Sequence, residues 1–205
     1  NNIGGTISET SDGSLVLNAA TSFSGTSTIT GGTVQVTGGG GSVVGTVNIN
    51  EGALLDFNSG TTNFTDTTNP TNFAGAGTLL LSGGTLGGSG TVSIGLPMSW
   101  TGGNLSVGAG GTGSVTVPSG KTLTLSGGSN KYLDGGRLAI AGQVDWTNGN
   151  LYLNNGARLT IQNGGVFNMQ SDADIYYSTG AVPTMINKGI LRKSGGTSES
   201  LIGAG

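Results

Sequence analysis

Between Gly90 and Tyr177 one short unit keeps returning: a glycine, a small or polar residue, then two apolar residues with one spacer between them. It reads GTVSI at 90–94, GNLSV at 103–107, GSVTV at 113–117, GRLAI at 136–140 and GNLYL at 149–153. A variant with a longer lead gives GKTLTL at 120–125, GARLTI at 156–161 and GGVFNM at 164–169. Apolar residues alternating with a period of two mark a strand with one buried face, and the glycine marks the turn that introduces it. The units group in threes. Val92/Ile94, Met98/Trp100 and Leu105/Val107 form one set, and Leu138/Ile140, Val144/Trp146 and Leu151/Leu153 repeat its internal spacing. Between them lie Val115/Val117, Leu123/Leu125 and Leu133, and after them Leu159/Ile161, Phe167/Met169 and Ile175/Tyr177. The sets begin at Val92, Val115, Leu138 and Leu159, which are 23, 23 and 21 residues apart. Short strands recurring at such a period, without helical periodicity, define a solenoid. The fold class is therefore all-β: a right-handed parallel β-helix (β-solenoid) with three short strands per turn of about 21–23 residues.

Composition matters here for what it excludes. Forty-three glycines in 205 residues, with 8% charged and 5% aromatic residues, would suit low complexity, but the regular apolar pairs supply a core. There is room for roughly nine turns and a rod of about 40 Å at the spacing of stacked strands. A solenoid has no internal boundary, so residues 1–205 read as one segment. The pattern is already running at Gly13, Leu15 and Leu17, after fragmentary strand residues Ile3 and Ile7 and a turn at Asp12-Gly13. Neither end offers a helix or charged cap over the strand edges, so the segment is expected to belong to a longer repetitive protein. Residues 60–76, polar and containing Asn69-Pro70, break the rhythm and are expected to project as a loop. The strand pattern resumes at Thr78–Leu81 and returns at Thr184–Asn187 and Ile190–Lys193.

The formal net charge is −3, with seven Lys and Arg scattered until Lys188, Arg192 and Lys193. That is no electrostatic footprint for nucleic acid. Absence of Cys and His excludes disulfides, the usual zinc sites and catalysis through either side chain. No apolar run approaches a membrane span.

Residues 15–59 carry a more specific pattern. Leu15-Leu17, Phe23, Gly25-Thr26, Ile29, Gly31-Gly32-Thr33 and Val34-Val36 are followed by Gly45-Thr46-Val47-Asn48-Ile49, Gly52-Ala53 and Leu55-Asp56-Phe57. This order resembles the passenger-associated repeat of autotransporter proteins, with Phe23-Ser24-Gly25 where that family has Tyr-Ser-Gly or Tyr-Thr-Gly. The resemblance implies a secreted β-helix on a bacterial surface, commonly an adhesin stalk, and it carries no catalytic residues. WTGGNL at 100–105 and WTNGNL at 146–151 are similar to repeats of very large bacterial surface and secreted proteins.

Carbohydrate-active parallel β-helices work through clustered acids, as calcium ligands or as paired carboxylates flanking a glycosidic bond. The best such set here is Asp172 and Asp174, whose spacing would put both carboxylates on one face of a strand, with Arg158 one turn earlier and Asp145 on another face. A calcium-binding β-roll needs a repeated GGxGxD, whereas these Gly-Gly pairs are followed by Thr, Asn, Arg or Val, so no metal or other cofactor is expected. An ice-ordering face needs Thr in successive turns. One turn after Thr122 and Thr124 the spacing puts Asp145 and Thr147, then Asn168 and Gln170, so no such array forms. Trp100 and Trp146 lie two turns apart and are expected in the core. Asn148, Asn150, Asn154, Asn155 and Asn163 fall at turns.

Two functional classes follow. The leading one is a non-enzymatic structural or adhesive module, a stalk or fibre of a bacterial surface protein, whose partners are further copies of itself or surface polysaccharide. The other is a polysaccharide-binding or polysaccharide-cleaving β-helix acting near Asp145, Arg158, Asp172 and Asp174.

Overall fold

Each turn of this chain hydrogen-bonds to the turns on either side of it, and the strands pair in parallel throughout. The structure is a computed structural model that describes residues 1–10, 13–110 and 113–204. Asp12 of the expected Asp12-Gly13 turn lies outside the described residues. The described residues form 26 strands and no helix.

The strands stack in three columns. The third column is the simplest: nine strands from Ser14–Leu17 to Ile190–Lys193 form one parallel sheet. Its inward row runs Leu15, Val34, Leu55, Leu79, Met98, Leu123, Val144, Phe167 and Leu191. The first and second columns join into one 17-stranded sheet. They join because Ser22–Ile29 and Gly41–Ile49 run through both, bending at the paired Gly25 and Gly45. At Gly45 the φ angle is +97°, and a Cβ there would fall on the carbonyl oxygen of Gly25. Only glycine turns this corner with the strands in contact. In the second column Val92, Val115, Leu138 and Leu159 pair in succession, as the sequence spacing requires.

Other registers differ from that spacing. Thr122 pairs with Gln143 and Thr124 with Asp145, so Asp145 follows Thr124 rather than Thr122. The turn there is 21 residues long instead of 23, and Asn168 follows Asp145 in the same row. No threonine array results in either register. In the first column Leu105 pairs with Leu133 and then Leu153, not with Leu151. The position opposite Leu151 belongs to Lys131. At the next turn Ile175 points inward, and its neighbour Tyr176 rather than Tyr177 stands in the row of Tyr152.

The expected loop at 60–76 is mostly strand. Thr61–Phe64 and Thr71–Gly75 continue the first and second columns, and Phe64 and Phe73 are fully buried. Only residues 65–70 are irregular, tied by Asp66, whose Oδ1 accepts hydrogen bonds from the backbone N–H groups of Thr68 and Asn69. Polar Thr and Asn in the strands hid two inward aromatics. Phe73 meets Phe57 and Phe64 edge-on, with centroids 6.1 and 6.0 Å away, so one aromatic cluster ties all three columns together.

The core is one continuous column of apolar side chains from Phe23 to Ile175. Trp100, Leu125 and Trp146 stack in register within it, and neither indole is exposed. Their polar edges differ. Trp146 Nε1 donates to the carbonyl of Gly149 at 2.7 Å, whereas Trp100 Nε1 has no partner among the described residues. Replacing an unpaired buried donor by an apolar edge costs less than breaking a formed bond and orphaning its acceptor. Trp146→Phe is therefore expected to destabilise the chain by about 1 kcal/mol more than Trp100→Phe in urea unfolding. Equal losses would mean that packing alone sets both values.

Candidate functional site

The acids singled out in the sequence do not converge. Asp145 lies in the third-column strand Gln143–Trp146, and Arg158 opens the second-column strand Arg158–Ile161. Asp172 and Asp174 sit in the connection between Val166–Met169 and Ile175–Tyr176, outside any strand. The expectation that the last two share a strand face fails because the chain turns a corner there.

Each carboxylate is also already engaged. Asp172 pairs with Lys193 at 2.8 Å and accepts the backbone N–H groups of Thr197 and Ser198. The Lys193 hydrogen bond, then those backbone donors, hold its carboxyl below the usual range. Asp174 accepts from the Tyr176 hydroxyl at 2.9 Å and from the backbone of Leu201 at 2.7 Å. The first of these bonds raises the Tyr176 phenol. Asp145 accepts from Gln143, Gln170 and Asn168 at 2.8, 2.8 and 3.1 Å. Asn168, itself nearly buried, accepts in turn from Arg192 Nε and Ser194 Oγ. A polar network thus runs along the outside of the third column over three turns. Carboxylates held this way lack the mismatched pair of environments that separates a catalytic acid from a base. Among the described residues no three Asp or Glu gather to hold a metal ion.

Three further features emerge from the register. Tyr132, Tyr152 and Tyr176 occupy one outward row of the first column and stack with centroids 5.0 and 5.2 Å apart and planes within 26°. The middle ring, Tyr152, is sandwiched by the other two. The ladder is cohesive and offers no open face at Tyr152 for a sugar ring. Its signal was present in the sequence, as three of the four tyrosines recur once per turn.

Lys131 is fully buried in the inward row of the first column, between Gly103 and Leu151. Its ammonium donates to the carbonyl oxygens of Gly127, Ser129 and Asn148 at 3.1, 2.9 and 3.0 Å, using all three N–H bonds. Burial pushes it from its ordinary 10.5 down to about 8.

Arg137 and Arg158 stand opposite each other on adjacent second-column strands. Between them lies a shallow depression of about 130 Å³, completed by Ser114 and Thr160. A second depression, about 260 Å³, runs beside Lys121 and Gln143 at the corner between the second and third columns. Neither is lined by a carboxylate. Sequence spacing singled out Arg158 but not its neighbour, because it was weighed against acids rather than against the residue one turn away. No known protein family, curated protein or solved structure matches this chain.

Lys131 makes a measurable prediction. Lys131→Met would remove the charged donor shared by the carbonyls of Gly127, Ser129 and Asn148 and is expected to destabilise the chain by about 1–3 kcal/mol at neutral pH. The unfolded lysine keeps its ordinary pKa while the folded one titrates near 8, so between about pH 8 and 10.5 the unfolded chain binds more protons. Wild-type stability should therefore rise across that window relative to Lys131→Met, as read by urea unfolding at several pH values. A constant difference would mean that the three carbonyls restore the ordinary pKa.

Proposed function

We propose that this chain is a non-enzymatic structural and adhesive module, a stalk-like or fibre-forming β-solenoid of a secreted or cell-surface bacterial protein. The observation that carries this reading is the unbroken parallel ladder, nine strands deep in the third column, around one continuous apolar core. Inter-turn hydrogen bonds run along the rod, so an axial load is shared by three columns of backbone bonds. Outside, Asp145, Asn168, Asp172 and Asp174 spend their hydrogen-bonding capacity on neighbouring turns. That suits the coat of a stalk, in which these acids serve cohesion between turns. The secreted, bacterial setting comes from the autotransporter-like order of residues 15–59. No helix among the described residues is long and apolar enough to cross a membrane.

With few charges on its sides, the rod has little electrostatic repulsion against lateral or end-to-end contact with further copies. Electron microscopy at high concentration is expected to show such assemblies, and monomeric rods alone would overturn the fibre-forming half of the reading. Incubation with a panel of gelled polysaccharides is expected to release no new reducing or unsaturated sugar ends. Release that disappears in Asp172→Asn or Asp174→Asn would make the chain an enzyme.

A further inference from the structure

We infer that Arg137 and Arg158 form a binding site for the acid groups of an anionic polysaccharide lying along the second column. Their placement is the first ground. The two residues are register partners on neighbouring parallel strands, so their Cα atoms are about 4.8 Å apart along the rod. Like charges set directly opposite each other on adjacent strands repel, and sheets ordinarily place opposite charges there. Among the described residues no carboxylate forms an ion pair with either guanidinium. Among the described residues the ion pair formed is Lys193 with Asp172, and neither guanidinium has a hydrogen-bond partner within the chain. The nearest acid in sequence, Asp134, accepts instead from the Asn155 side chain.

Three of the five other cations are taken up by the fold, and the remaining two, Lys121 and Lys188, carry ammonium groups rather than a planar fork. Lys131 is consumed by three carbonyls, Lys193 by Asp172 and Arg192 by Asn168. Arg137 and Arg158 keep both guanidinium forks free, and the fork is the donor geometry that grips a carboxylate or sulfate through two parallel bonds. The depression between them is also lined by Ser114 and Thr160, which bring hydroxyl groups, and by Leu138 and Ala139.

Ligand class follows from charge density and shape. Duplex nucleic acid carries one charge about every 1.7 Å, a density that two arginines on a chain of net charge −3 do not match. A polysaccharide with spaced acid groups presents charge at intervals comparable to one strand step, together with hydroxyls that suit Ser114, Thr116 and Thr160 on the same column. This site rests on the adhesive half of the proposed function and gives it a ligand class.

The test is titration of the folded chain with polygalacturonate, heparin, uncharged dextran and duplex DNA at low and moderate salt. Wild type is expected to bind polygalacturonate, heparin or both, more weakly as salt rises, and to ignore dextran. Binding to the first alone assigns a carboxylate ligand, and to the second alone a sulfate. Arg137→Gln/Arg158→Gln should weaken binding about tenfold. Arg137→Lys/Arg158→Lys, which keeps charge but loses the fork, should fall between, and Lys188→Gln should bind as wild type. Unchanged thermal unfolding in the lysine pair keeps the comparison valid if the glutamine pair folds poorly. Tight binding that survives both double variants overturns the arginine site and leaves the adhesive reading standing. DNA bound as tightly as either polysaccharide overturns the ligand class. Failure to bind any polysaccharide overturns both the site and the adhesive reading, leaving a plain stalk.

Discussion

Everything in this chain depends on backbone hydrogen bonds that a single turn cannot make for itself. A turn of three short strands has no internal ladder: its N–H and C=O groups are satisfied only by the turns before and after it. That constraint explains the composition. Turns must come within strand-pairing distance at every corner as well as along every strand, and at several corners the carbonyl of the preceding turn occupies the space a Cβ would need. Gly45 over Gly25 is one such place, and it is a bend as well, so the conformation and the close approach demand the same residue. The inward residues then have only a narrow column to fill. Val, Leu and Ile suffice for most of it, and the Phe57, Phe64 and Phe73 cluster bridges the columns where the chain lengthens to admit residues 65–70.

Much of this was legible in the residues. Alternating apolar pairs identified the strands, and the second column from Val92 to Leu159 was readable to the residue because its glycine leads are nearly constant in length. Where turn length changes, spacing alone misplaces partners by two residues, as at Thr122, Thr124 and Leu105. A shift of two keeps the inward face correct, which is why the core was predictable while the surface was not. Surface chemistry depends on which side chains are neighbours along the rod. The carboxylates therefore looked available in the sequence and are engaged in the structure. Arg137 and Arg158 looked unrelated, and the register sets them side by side. Phe64 and Phe73 were hidden for another reason: Thr62 and Thr71 share their buried side, so alternation of polarity fails exactly where alternation of burial holds.

The outer surface divides by column. On the third, amides and carboxylates knit successive turns together; on the first, tyrosine rings do so by stacking. Both arrangements spend their chemistry on cohesion. The second column carries Ser114, Ala139 and Thr160 around the arginine pair, whose guanidiniums are not used by the fold. With the proposed ligand on the second column, support and recognition would be separated by face rather than by domain. That separation would let a ligand face change without loosening the turns beneath it.

A stack of near-identical turns carries a hazard of its own, slippage, in which one turn docks a full repeat out of phase with almost every inward contact still apolar. Lys131 opposes that error. Its ammonium needs the carbonyl of Asn148 from the following turn, and it needs Gly149 there as well, because a side chain at that position would press on Nζ. A chain out of phase by one turn would bring Ala173 to the place of Gly149 and set a side chain against the buried ammonium. The lysine thus marks one turn as different from all the others, and gives a repetitive strand order a single point from which its phase is counted.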